Sequence, residues 1–440
     1  MARNYGKLLV ITAYAVLFIG LTLSAQALTL LAPTEGQIVR ENVRIVLPSS
    51  AAPSDGFISI FAGETGAESF VAALGRKTAV DKDGKAIFIW NSKSPYHEPS
   101  DPTNEKFFKD GKYSLKVQIH DVSGNLVDSA ILSIELRNKV ARTNPAPAVS
   151  LVNRLGFGQL NTYHVNANVQ FYDVVGLPTL GGVGMTSDFK VIQSVEDTRS
   201  GGEFLIRYRI GEGAYISSAS SKQVLFQGEE LKPQLYRLVN KHGNVLKANM
   251  FTKQGKYTMM DILPVLPTQA VKEGDAWPSS MTMKVEGLMS ALKLEGTSML
   301  DSFEWQNGIE CVKIISNLTG NSYISLLNGK IRSSSDSLSA KVTTYFAYKS
   351  GKLLRSEIVL HVPAVIDAGA DDFASQDNSA AAGGPPSSLV MNPNVYDMDE
   401  DSESPVYNTQ RPTKSQQAAS KSVTGTKGSV QIRTIVQLEK

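Results

Sequence analysis

The stretch DGKYSLKVQIHDVSGN, residues 110–125, decides how this chain folds. Tyr113, Leu115, Val117 and Ile119 alternate with Lys116, Gln118 and His120, which is the period-two pattern of a strand with one face in a core. Asp110-Gly111-Lys112 before it and Ser123-Gly124-Asn125 after it supply turn chemistry. The same rhythm continues outward. Residues 28–31, 43–47, 57–61, 86–90 and 130–136 are short runs rich in β-branched or aromatic residues. Pro33-Thr34-Glu35-Gly36, Ser54-Asp55-Gly56 and Asp83-Gly84-Lys85 punctuate them. Short strands at this spacing over residues 28–139 predict a β-sandwich.

Three segments carry a resemblance: LLAPTEGQIV (30–39), VRIVL (43–47) and the quoted hairpin stretch. Together they resemble the bacterial immunoglobulin-like, or fibronectin-like, modules of surface proteins. The resemblance implies a sandwich fold; spacer, adhesin and sugar-binding roles are all compatible with it.

Asn144-Pro145-Ala146-Pro147-Ala148 lies in a stiff linker spanning 140–149, and a second region follows over 150–366. Its strand patterns cover 163–171, 189–195, 204–210, 236–239 and 245–250, then 281–285, 298–305, 310–316, 343–348 and 353–360. Landmark glycines Gly158, Gly202 and Gly243 fall 44 and 41 residues apart, and Gly274, Gly308 and Gly351 fall 34 and 43 apart. That order predicts two β-meanders, packed as curved antiparallel sheets or an open barrel. Val271 to Trp277 with its Gly-Asp-Ala-Trp, NGIECVKI (307–314) and FAYKSGKLLRS (346–356) are similar to a group of uncharacterised exported bacterial β-proteins. This second resemblance implies architecture alone. Residues 367–428 are low in apolar content and read as a disordered loop. Residues 429–440 then carry a strand pattern expected to return to the sheet beside 352–362.

The N-terminus has the three parts of a secretory signal: Arg3 and Lys7, an uncharged apolar run over 8–23, and Ser24-Ala25-Gln26-Ala27 as a cleavage site. Signal cleavage after Ala27 and an uncleaved anchor over 8–32 are the two readings, the first being expected. Cleavage removes Arg3 and Lys7, so the 44 basic residues fall to 42, equal to the 42 acidic ones. A neutral surface argues against nucleic acid as a partner, and membrane contact is expected only if the segment stays uncleaved.

Little in the chain points to catalysis. Cys311 is the sole cysteine and sits in a strand pattern, which excludes an internal disulfide and reads as a small buried hydrophobe. His97, His120, His164, His242 and His361 lack metal-pair spacing. Asp81-Lys82-Asp83-Gly84-Lys85 begins like a calcium loop, but its twelfth position is Ser92 rather than an acid. Asp275 and Trp277 read as a turn with a packing tryptophan, the rival being a sugar-binding surface. No cofactor is implied. The one set that invites a ligand is apolar and adaptable: Met259, Met281, Met283, Leu288, Met289, Leu292 and Met299. These residues fill a core or line a cavity for a lipid-like molecule.

The expectation is an all-β, non-enzymatic, extracytoplasmic protein. Its first module is immunoglobulin-like, and its larger antiparallel β domain has a binding or scaffolding role. The partner would be a protein, a glycan or an apolar small molecule. A lipid-type carrier and a cell-wall or polysaccharide hydrolase are the alternatives.

Overall fold

The computed structural model describes residues 28–48, 56–64, 67–74, 85–98, 101–143, 146–172, 183–211, 215–218, 222–224, 234–248, 261–283, 292–321, 325–326, 331–334, 337–366 and 426–439. Among these every regular element is a β-strand, so the fold is all-β. The chain divides into two units, Met1–Val140 and Ala141–Lys440.

The first unit holds β1 (Gln37–Val39), β2 (Asn42–Pro48), β3 (Phe57–Glu64), β4 (Ala67–Leu74), β5 (Lys85–Asn91), β6 (Tyr96–Glu98), β7 (Asp101–Lys106), β8 (Gly111–His120) and β9 (Leu126–Leu136). Five strands form a sheet in the order β1-β9-β8-β3-β4, while β2 pairs with β5 and β6 with β7. The alternation in β8 places Leu115, Val117 and Ile119 in one core with Ile58 and Ile60 of β3. Val43, Ile45 and Leu47 of β2 close the same core from the second sheet. Residues 28–31 are not a strand, which corrects the sequence expectation. Leu28 is buried, but only an isolated bridge forms, between Ala32 and Val46. Pro33 then has no N–H with which to extend the ladder. Ser92 is buried, its hydroxyl donating to Glu41 O at 2.9 Å. Asp81 and Asp83 lie outside the described residues.

The second unit is built on β10 (Leu160–Tyr172), β11 (Val183–Arg199), β12 (Glu203–Ile210), β13 (Tyr215–Ser218), β14 (Lys222–Val224), β15 (Gln234–Asn240) and β16 (Val245–Ala248). It continues with β17 (Ala276–Met283), β18 (Leu292–Gln306), β19 (Ile309–Asn321), β20 (Ser325–Leu326), β21 (Ile331–Ser333), β22 (Ser337–Ala347), β23 (Lys352–Ile366) and β24 (Thr426–Leu438). One antiparallel path runs β16-β15-β12-β11-β10-β24-β23-β22-β19-β18-β17, with β13, β14, β20 and β21 attached beside it. Two successive meanders are thus joined through β10 and β24, which pair over Tyr163↔Leu438 to Tyr172↔Ser429. β24 also pairs with β23, and it begins at Thr426, three residues earlier than the sequence pattern suggests. Residues 367–425 lie outside the described residues.

The two ends of this sheet differ. Short turns at 200–202, 241–244, 307–308 and 348–351 join strands at one end. The connections at the other end span 173–182, 211–233, 284–291, 322–336 and 367–425. All six landmark glycines have positive φ and mark the short-turn end. Segment 149–158 crosses that end: Asn153 N donates to Lys241 O at 2.8 Å and Arg154 N to Gly351 O at 3.1 Å.

The sheet is rolled. Nine ladder steps separate β15 from β17, which in a flat sheet is about 43 Å at ~4.8 Å per step. Yet Asp261 pairs with Arg237 of β15 and also holds β17. Asp261 N donates to Thr282 O at 2.7 Å, and Thr282 N donates to Asp261 Oδ2 at 2.7 Å. The end strands β16 and β17 do not pair, so the ladder is no closed barrel. Residues 261–271 bridge the seam instead. Leu266 N donates to His242 O at 2.8 Å, and Trp277 Nε1 donates to Val265 O at 3.0 Å. Val149 and Val271 form a two-bond bridge that ties the strap's end.

Candidate functional site

Rolling a sheet with one apolar face puts that face inside. Along β18 Leu292 and Leu294 are buried, while Lys293, Glu295 and Thr297 are exposed. Along β22 Leu338, Ala340 and Val342 are buried between exposed Ser337, Ser339 and Lys341. Cross-strand partners share a face. The row Leu318, Ala340, Leu360, Ile432 and Val169 therefore lines the interior across five strands without a polar side chain.

The apolar residues singled out from sequence divide three ways. Met281 and Met283 are buried on β17, facing Leu294 and Leu292 of β18 across the ladder. These lie toward the long-connection end of the interior. Met299 stands on the opposite face, 37% exposed. Met259, Leu288 and Met289 lie outside the described residues. Trp277 is buried with its indole N–H bonded to the strap, and Asp275 accepts from Lys272 N at 2.8 Å. This is the packing turn, not a sugar platform.

Toward the short-turn end the interior becomes polar. Ser298 and Ser316 hydroxyls lie 2.6 Å apart, and those of Thr344 and Ser356 3.4 Å apart. On the opposite wall a buried chain runs inward. Gln159 Nε2 donates to Asn161 Oδ1 at 3.1 Å, Asn161 Nδ2 to Gln193 Oε1 at 2.7 Å, and Gln193 Nε2 to the Tyr208 hydroxyl at 3.1 Å. Arg237, diagonal to Tyr208 across β12 and β15, ends the chain against Asp261. Tyr163 sits beside this chain in the same core cluster as Tyr208. Burial pushes the Tyr163 hydroxyl far above its ordinary pKa, helped by Tyr208. Burial raises Tyr208 as well, against the hydrogen bond from Gln193 and the charge of Arg237. The same burial lowers Arg237.

The sequence reading missed this polar set, although a signal for it exists. Asn161 falls in phase with Tyr163 and Val165, Gln193 with Val191 and Val195, and Arg237 with Leu235 and Val239. A polar residue on the apolar phase of a strand must find a partner inside.

The outer face carries ion pairs. Lys313 lies 3.2 Å from Asp301 and 3.6 Å from Glu304, Arg355 lies 3.0 Å from Glu357, and Lys190 lies 2.8 Å from Glu439. His164 Nε2 meets Asp188 at 2.8 Å, His120 stacks on Phe57, His242 lies in the β15–β16 turn and His361 is exposed. The His97 side chain lies outside the described residues. Cys311 is buried with its thiol donating to Glu304 O at 3.2 Å. Among the described residues no group of three or more His, Cys, Asp and Glu side chains could hold a metal ion.

No family model and no curated protein matches this chain.

Proposed function

We propose that this is an exported, non-enzymatic binding protein whose second unit takes up an apolar, lipid-like molecule between the walls of its rolled sheet. The observation that supports this reading is the one-sided apolar face, rolled until Asp261 holds both its ends. Eight strands already enclose an interior that wall side chains can fill or that holds one small ligand. Eleven strands and a strap enclose more. The engaged carboxylates of the outer face and the buried Cys311 thiol support a non-enzymatic role.

Export follows from the signal-like N-terminus, and N-terminal sequencing of the secreted chain would begin at Leu28. The first unit, with its resemblance to immunoglobulin-like modules, serves as spacer or contact surface. A second reading, a scaffold for a protein partner, is favoured by Val122, Leu126, Val127 and Ile131, all more than half exposed on the β8–β9 hairpin. Native mass spectrometry of residues 28–440, exported and purified without detergent, separates the two. A mass excess lost on denaturation, with a lipid in the extract, supports the carrier. A bare mass that stays bare after incubation with lipid dispersions removes the carrier reading and leaves the scaffold.

A further inference from the structure

The five-stranded sheet of the first unit leaves part of one strand uncovered. β1 pairs with β9 only from Ile134 to Leu136. Before that point β9 has β8 on one side and, among the described residues, no strand on the other. Ser133 O accepts from Gly36 N at 2.7 Å and Ser133 N donates to Glu35 Oε2 at 2.9 Å, so the backbone groups of Ser133 face the β1 side. Alternate residues of a strand share a side, and Ser129 and Ile131 therefore turn their N–H and C=O groups to the open edge. Ser129 N is held there by Asp128 Oδ1 at 2.7 Å.

The open stretch, residues 126–132, reads LVDSAIL. It lacks the proline and lysine that commonly blunt an exposed edge, and its guards are the charge of Asp128 and a bulge at Val127. The end strands of the second unit are better protected: β16 has four residues, and β17 contains Pro278 and is held by Asp261.

This stretch is complementary to itself. Laid antiparallel on a copy about Ser129, it sets Val127 against Ile131, Asp128 against Ala130 and Ser129 against Ser129. Val127 and Ile131, 64% and 60% exposed, then cover each other on both sides of the axis, and no like charges meet. An axis at Asp128 would oppose two carboxylates, and an axis at Ala130 would set Ile131 against Ser129.

We propose that two copies of this chain join edge to edge through β9, continuing the sheet across a twofold axis at Ser129. Asp128 releases Ser129 N, which donates to the Ser129 carbonyl of the second copy. Seven residues at ~3.4 Å make an edge about 24 Å long, and with a sheet ~10 Å deep it covers roughly 240 Å². A standard interface covers about 800 Å² per partner, so this dimer is weak and depends on concentration. It forms whether or not the second unit carries a lipid.

Sedimentation of the full exported chain should show monomer passing to dimer as concentration rises from about 5 to about 500 µM. Ile131→Lys replaces an exposed side chain, so the thermal midpoint of the monomer should not change. Association should weaken about tenfold, because both apolar cross-strand pairs are lost. Ser129→Cys should give a disulfide-linked dimer under mild oxidation, since paired Cα atoms about 5.5 Å apart are within disulfide reach. Ser133→Cys should not, because its two copies would stand eight residues apart along the ladder, about 27 Å at ~3.4 Å per residue. The native Cys311 is buried. A chain that stays monomeric at every concentration would overturn the proposal and leave the edge to a strand of a different protein. A dimer unaffected by Ile131→Lys, or one cross-linked as readily through position 133 as through 129, would overturn it too.

Discussion

Asp261→Ala strips the carboxylate from a guanidinium whose side chain is only 6% exposed, itself coming from a site 17% exposed. Breaking a buried pair by removing one partner costs about 3–5 kcal/mol. Thr282 N also loses the acceptor it reaches at 2.7 Å, a loss of about 1 kcal/mol at a half-buried site. The two losses overlap, so the seam should open more easily by about 4 kcal/mol, or about a thousandfold in its opening equilibrium. Denaturant midpoints are a poor readout in a chain of two units, because a single transition is not assured. Hydrogen exchange is the better assay. Amides of Leu266, Val271 and Thr282 should exchange about a thousandfold faster, while those of Ile358 and Thr434, in the middle of the sheet, should change little. Replacing both partners together, Arg237→Leu with Asp261→Leu, removes the stranded charge and should recover most of the protection. Less than a tenfold change at Leu266 and Thr282 in the single variant would refute the latch. So would a uniform rise across every strand of the unit, since the seam would then have no stability of its own.

Three further outcomes are expected. Gly243 has φ +83°, and a Cβ there would lie 2.1 Å from Pro264 O. Gly243→Ala should therefore cost about 2 kcal/mol or more and expose residues 261–271 to limited proteolysis first. Burial pushes the Glu310 carboxyl up, but hydrogen bonds from Lys349 and Tyr348 and the charges of Lys349 and Arg142 hold it below its ordinary pKa. A depressed folded-state pKa gives stability that is present above the unfolded value, about 4.3, and is lost as pH falls through the folded one. Glu310→Gln should accordingly flatten the acid limb of a stability–pH curve below about pH 4.3, with no change near pH 7 in its slope. Finally, the Cys311 thiol should resist a water-soluble thiol reagent in the native chain and react fully in denaturant; rapid native labelling would contradict its burial.

Much of the strand pattern was legible in the residues, because one-sided burial writes itself as alternation. The 204–210 pattern read cleanly from Phe204, Ile206 and Tyr208, and the 353–360 pattern from Ile358 and Leu360, although the second strand runs on to Ile366. The glycine landmarks were legible for a different reason: each ends a tight turn at positive φ. What escaped notice has physical causes. β18 begins at Leu292 rather than 298 because Gly296 looks like a break, although Asn317 O would lie 2.1 Å from any Cβ there, so the approach of the next strand demands glycine. β7, with Pro102 and no apolar alternation, pairs only with β6, which leaves no pattern to read. Met299 was grouped with the interior set although it shares the phase of exposed Glu295 and Thr297. The seam could not be foreseen: Asp261 and Arg237 are 24 residues apart, and only the roll of the sheet brings Thr282 to the same carboxylate.

The most direct test of the account is where a bound chain lies. A photoreactive acyl ester carrying its label near the chain terminus, cross-linked to the full exported protein and mapped by residue-level mass spectrometry, should modify Met281, Met283, Leu292 or Leu294. Labels on Met299 and Lys293 of the outer face, or on Val122, Leu126 and Ile131 of the first unit, would contradict an interior binding site.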